Sequence, residues 1–379
     1  MSNLAPEKTN TSPVISPSTS IPTAIIYCEG QFGKIDGKTA NGLVRHSQKY
    51  QILSVIDSET AGMNSGEVLG EEKNNIPIVS SIEHAMAHSK NKPDYFIFGI
   101  APSSGILSEL EKAIILNAMS RKMNIVNGLH EFLTDDSIFS EASRRHNVNI
   151  IDIRKPKNKE DLKTFSGKIH NVKCPRIALM GTDCAIGKRT TATILTNILR
   201  EKGLNVVMIA TGQTGIIQGA AYCVALDAVP SQFCAGELES VIVEAYEQEK
   251  PDLIIIEGQG ALSHPAFSTS SFILRGSCPT GVILQHSPKR INRIDFPEMA
   301  MPSVASEIHL IETFSDTTVI GLTLNHEEMS ADKIRSSIDN HATQLGIPTT
   351  DALTQPPSQL VEMVLSAFPY LESKMTIER

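Results

Sequence analysis

The sequence predicts an α/β fold in two parts: an N-terminal Rossmann-like parallel-sheet domain followed by a P-loop NTPase-like α/β domain. Three observations carry this reading. From Thr23 onward, short and nearly continuous apolar runs alternate with helical patterns, as strands buried on both faces require. A second series of such units starts near residue 175. Its first apolar run, Ile177 to Met180, leads into Gly181-Thr182-Asp183-Cys184-Ala185-Ile186-Gly187-Lys188-Arg189-Thr190-Thr191 and then a helical pattern to about Arg200. Strand, glycine-bounded loop, lysine and helix is the layout of a loop that cradles phosphate.

Taken in chain order, residues 1–22 are mostly Ser, Thr, Pro and Asn and read as a disordered tail. The first domain, 23–155, is expected to hold strands at 24–28, 52–56, 95–100, 124–126 and 149–153. Helices at 82–89, 108–121 and 137–145 lie between them. Its first turn, Glu29-Gly30-Gln31-Phe32-Gly33, lacks the third glycine of a dinucleotide fingerprint. Asp57, where a ribose-binding acid would sit, is better read as a turn cap. Residues 156–174 turn Lys-rich and irregular and read as a linker. In the second domain, 175–379, further buried strands are expected at 206–210, 253–256, 282–285 and 319–324. It closes with a helix, a short strand leading to Pro348 and a last helix.

Composition narrows the function classes. A chain of 379 residues can build two cores, and 41% hydrophobic with 20% charged residues is ordinary for a soluble globular protein. A net charge of -8 with no strongly basic segment argues against nucleic acid as the main partner. Six cysteines (28, 174, 184, 223, 234, 278) show neither paired metal spacing nor a disulfide framework, so no metal site is expected. With no secretory or membrane segment, a reducing cytoplasm is the simplest location, and a homo-oligomer the expected assembly.

The loop departs from the common P-loop in two ways. Five residues separate Gly181 from Gly187 instead of four, and Arg189 stands where a nucleotide hydrolase carries the magnesium-binding Ser or Thr. Moving the hydroxyl to Thr190 turns it by roughly 100° around the helix. The pattern favours a metal-free polyphosphate, with Gly181, Thr182, Cys184, Ala185, Ile186, Gly187, Lys188, Arg189, Thr190 and Thr191 as its contacts. Glu257 ends a buried strand beside this loop, where open α/β sheets meet their ligands. It could act as general base, with His264 or Asp183 as alternatives. Asp183 could instead orient an ammonium group or cap the loop. Cys184, near a helix start and two cations, sits where a thiol pKa can fall, though packing is the commoner role. Gln213 should line the same crevice, and Lys38, Arg45 and His130 form a polar set in the first domain.

These segments together resemble the D-glutamate N-acetyltransferase family. The resemblance rests on Asp36-Gly37-Lys38-Thr39 with Gly42-Leu43-Val44-Arg45, on 55–62, and on Gly128-Leu129-His130-Glu131-Phe132-Leu133. Arg154-Lys155-Pro156, the P-loop, 210–215 and Glu257-Gly258-Gln259-Gly260 complete it, spanning about 23 to 302. It implies acetyl transfer from acetyl-CoA to the amine of D-glutamate, in D-amino acid catabolism. The P-loop would cradle the CoA phosphates without hydrolysis, and loop N–H groups or Gln259 would serve the oxyanion. The Gly-Thr-Asp opening of the loop also resembles dethiobiotin synthetase, which keeps open a Mg-ATP-dependent ligase or kinase with Asp183 and Glu257 on the metal. A non-catalytic nucleotide sensor is a third possibility.

Overall fold

The computed structural model describes residues 21–89, 91–102 and 105–375, so the expected tail lies almost wholly outside the described residues. Six strands form the first sheet: β1 (Thr23–Tyr27), β2 (Gln51–Ile56), β3 (Ile78–Val79), β4 (Tyr95–Phe98), β5 (Asn124–Asn127) and β6 (Ile150–Asp152). They run parallel in the order β3-β2-β1-β4-β5-β6, the doubly wound order of dinucleotide-binding folds. The pair Ile78–Val79 is too short to leave a periodic signal in the sequence. Asp57 accepts the amides of Gly30, Phe32 and Glu59, so the turn after β1 spends its donors on a carboxylate of its own chain. The turn-cap reading of Asp57 therefore describes its geometry.

The second sheet contains β7 (Arg176–Gly181), β8 (Val206–Ala210), β9 (Tyr222–Cys223), β10 (Leu253–Glu257) and β11 (Gly281–His286). An antiparallel hairpin, β12 (Asn292–Arg293) with β13 (Phe296–Ala300), comes next as a separate unit, and β14 (Val319–Leu324) and β15 (Thr349–Thr350) complete the sheet. Its order is β15-β14-β11-β7-β10-β8-β9, all parallel. Every residue of β7 and β10 is buried, with one apolar core on each face, so both central strands had to be continuous apolar runs. β9 and the hairpin were not expected from the sequence. The strand expected to lead to Pro348 forms just after it, where the chain escapes proline's missing donor.

Residues 156–174 are irregular but anchored. Two 3₁₀ turns, Lys159–Asp161 and Lys168–Asn171, lie along the helix Ser231–Glu249. Buried Glu237 accepts from Lys157 Nζ and the Lys163 amide, and Glu239 from the Ser166 and Ile169 amides.

A short helix, Gln213–Gln218, joins the two halves. Ile217 is fully buried in the core of the first sheet. Gln218 donates to the carbonyl of Gly42 in the helix Lys38–Arg45, and Thr39 Oγ1 lies 3.2 Å from Thr214 Oγ1. The segment after β8 is thus placed against the first domain, and with it the mouth of the second sheet.

The turn after β10 sets a steric limit. A Cβ on Gly258 would fall 1.6 Å from the carbonyl oxygen of Leu179 in β7, a backbone atom that cannot step aside. We expect Gly258→Ala to cost roughly 3 kcal/mol or more, or to prevent folding, as backbone clashes do. A denaturant melt within about 1 kcal/mol of the parent would contradict this close approach.

Candidate phosphate and acyl-transfer site

The loop between β7 and the helix Lys188–Glu201 is shaped by where its carbonyls point. Arg293 Nη1 donates to Thr182 O, Lys188 Nζ to Asp183 O at 2.6 Å, and Arg290 Nη1 and Nη2 to Cys184 O and Ala185 O. Asn325 Nδ2 donates to Ile186 O. Each consecutive carbonyl from Thr182 to Ile186 is therefore claimed by a side chain. The amides of Asp183 through Gly187 have no acceptor among the described residues and are left for a ligand. Ala185 at φ 49° and Gly187 at φ 98° provide the left-handed steps that turn successive N–H groups inward, an anion-binding nest. Lys188 is buried beneath, and a Cβ on Gly181 would fall 2.9 Å from its Cδ.

Arg290 and Arg293 escaped the sequence reading. They lie more than a hundred residues from the loop, at the hairpin β12–β13, and no local motif marks them. The hairpin also sets Asp183, whose Oδ2 accepts the Ile294 amide at 2.9 Å and faces Arg290 Nη1 at 3.4 Å.

Asp183 Oδ1 is buried without a hydrogen bond, and so is His264 Nε2, 3.9 Å away. Asp295 Oδ2 lies 3.8 Å from the same nitrogen. The loop carrying His264 is held by buried Glu307, which accepts the Leu262 and Ser263 amides, and the ring stacks on Phe267. Its Nδ1 accepts the Ala266 and Phe267 amides, which puts the proton of the neutral ring on Nε2. Burial first, then Arg293, pushes the His264 pKa down and keeps the ring neutral. In this tautomer Nε2 is a donor and not a base. Asp183 Oδ1, Cys184 Sγ and His264 Nε2 lie within 4.8 Å of one another, a spacing an ion could bridge, but a protonated Nε2 offers no lone pair to a metal. Burial pushes the Cys184 thiol up to about 12, outweighing the pull of Lys188, which suits the packing role expected for it better than that of an acyl carrier.

At the other side of the loop, Arg189 turns toward the ends of β8 and β10. Its Nε donates to Gln218 Oε1, and its Nη1 lies 3.2 Å from Glu257 Oε2. Glu257 Oε2 also accepts the Thr211 amide at 2.9 Å, while Oε1 has no hydrogen bond among the described residues. Thr191 Oγ1 is spent in the core on Gln285, and Thr190 is half-buried on the same helix.

The remaining candidates separate. Gln213 Oε1 accepts from Arg154 Nη2, which also meets Asp227, and Gln259 Nε2 donates to Thr211 O. Gln259 thus lies beside Glu257, both held to Thr211, while Gln213 sits with Arg154 and Asp227 at the first domain. His130 is half-exposed, 3.9 Å from Asp227 Oδ2, and burial pushes its pKa down. Arg45 pairs with Glu71 and the Leu69 carbonyl. Lys38 is exposed at the start of its helix. The geometry joins Asp183, Cys184 and His264 in one cluster and Arg189, Glu257 and Gln259 in another; Gln213 and His130 gather around Arg154 and Asp227, and Lys38 and Arg45 belong to none of these.

Comparisons with known proteins agree with this two-part architecture. Residues 58–156 match a domain of unknown function described as the Rossmann-like DUF1611_N, and residues 163–361 match the P-loop domain DUF1611_C. A protein of Pseudoalteromonas named D-glutamate N-acetyltransferase is 34% identical over 68% of this chain and 77% of its own length. One of the same name from Tritonibacter scottomollicae is 26% identical over 70% of this chain and 79% of its own. The crystal structure of a DUF1611 family protein from Anabaena variabilis superposes with a TM-score of 0.84 at 30% identity, covering 91% of this chain and 99% of that one.

Lys188 gives the loop a pH signature. Burial pulls its pKa down to about 8, so its charge is present below that pH and is lost as pH rises through it. An anion on the loop favours the charged form. If the loop holds a pyrophosphate, affinity for one, probed with coenzyme A, should be flat from about pH 7 to about pH 8 and then fall toward tenfold per unit. Calorimetric titrations showing no loss up to about pH 9.5 would contradict a role for Lys188 at the phosphates.

Proposed function

The chain belongs to the DUF1611 family, and from that premise we propose that it is an N-acetyltransferase moving the acetyl group of acetyl-CoA onto the amine of D-glutamate. The product, N-acetyl-D-glutamate, would enter D-amino acid catabolism, and the charge and cysteine usage suit a cytoplasmic enzyme. The observation that carries the reading is the loop with its carbonyls claimed from outside and its amides free, above a buried lysine. Such a nest suits the pyrophosphate of CoA, and nothing in the transfer requires a phosphate bond to break.

The amine must first lose a proton. Its lone pair then attacks the thioester carbonyl carbon; as the tetrahedral oxyanion collapses and the C–S bond breaks, the nitrogen gives up its second proton to become the amide and the departing thiolate takes up a proton to leave as CoA thiol. We assign the base to Glu257: its Oε1 is free, and Thr211 N and Arg189 hold the other oxygen still. His264 is a weaker choice because its Nε2 already carries the proton. Asp183 has a free Oδ1, but that atom is sealed from solvent. Gln259 would have to release Thr211 to stabilise the oxyanion. The ligase or kinase alternative needs Glu257 and Asp183 on magnesium, yet both carboxylates face arginines instead.

Two results test this. With acetyl-CoA and no ATP, thiol release should require D-glutamate and be absent with L-glutamate or no acceptor. ADP formation from Mg-ATP in its place would move the assignment to the ligase class. Glu257→Gln should lower kcat by roughly 10²- to 10⁴-fold, the usual worth of a general base, while CoA still binds. Full turnover in that variant would remove Glu257 from the base role.

A further inference from the structure

Resting on the reading that the loop holds phosphates, we infer that it holds them without a divalent metal, and that the Arg189 guanidinium is the built-in cation in the metal's place. In nucleotide-hydrolysing P-loops, the hydroxyl after the lysine and an acid at the end of a neighbouring strand hold magnesium together. In this chain the first half is replaced and the second is already paired. The residue after Lys188 is an arginine; of the two hydroxyls that follow, Thr190 is turned by roughly 100° around the helix, and Thr191 Oγ1 donates into the core to Gln285 Oε1. The acid, Glu257, faces Arg189 Nη1 at 3.2 Å. A dication placed between them would meet a guanidinium charge where it needs a hydroxyl oxygen, so the residues present do not fit magnesium.

The guanidinium is placed by three independent contacts. Gln218 accepts from Nε and is itself tied to Gly42 across the domain boundary. Glu257 faces Nη1 from the end of β10. Gly215 clears the space, since a Cβ there would fall 2.3 Å from Nη1. Nη1 is nonetheless buried without a hydrogen bond, an uncommon state for so strong a donor and one that a phosphate oxygen would relieve. A planar fork of fixed charge suits phosphate, and unlike magnesium it does not depend on the metal content of the solution.

The test is calorimetric titration of the full-length protein with coenzyme A, in EDTA and again with excess magnesium. The inference expects Kd to agree within about twofold between the two conditions, and a tightening of roughly tenfold or more with magnesium would overturn it. Arg189→Thr, which restores the common hydroxyl, should weaken binding in EDTA by roughly tenfold or more, and Arg189→Lys by less. Unchanged affinity in both variants would also overturn it. If the threonine variant does not fold, the metal comparison on the parent chain and the lysine variant still decide. A parent chain that binds coenzyme A in neither condition refutes the phosphate-loop reading itself, an outcome distinct from binding that appears only with magnesium.

Discussion

The constraint on which the site depends is the direction of five carbonyls. A loop can offer its amides to an anion only if its carbonyl oxygens find donors elsewhere, and buried carbonyls left bare are costly. Here Arg293, Lys188, Arg290 and Asn325 supply those donors to Thr182 through Ile186. The positive charges that hold the loop open also raise its affinity for the group it would bind. Removing the hairpin would therefore unshape the loop as well as discharge it.

A second dependence runs across the domains. Gln218 joins Arg189 in the second sheet's crevice to Gly42 of the first domain, and Ile217 of the same short helix is sealed in the first domain's core. The guanidinium beside Glu257 is thus held partly from outside its own domain, so the first domain shapes this crevice even though its own βα turn spends its amides on Asp57.

Much of the fold was legible because its signals are local. Parallel strands buried on both faces must be apolar runs, so β1, β4, β8, β10 and β14 appear directly in the sequence, and so does the glycine-bounded loop before Lys188. Elements of two residues, such as β3 and β9, carry no period to read. The site was only half legible for a related reason. Glu257 could be placed by its strand end and Asp183 by the glycine-bounded loop, but their partners come from far along the chain. Neither the Arg189–Glu257 pair nor the Arg290 contacts has a sequence spacing that announces it. For Cys184 the nearby cations are visible in sequence while the burial that outweighs them is not. The depth at which His264 lies, and the two amides that fix its tautomer, likewise belong to packing alone.

The most direct test of the preformed anion nest is a crystal structure of the protein with coenzyme A. The account predicts pyrophosphate oxygens within hydrogen-bonding distance of amides among those from Asp183 to Gly187, with the Arg290 and Arg293 contacts to the loop carbonyls unbroken. Coenzyme A bound with its phosphates away from these amides, or a loop whose carbonyls had turned inward, would contradict it.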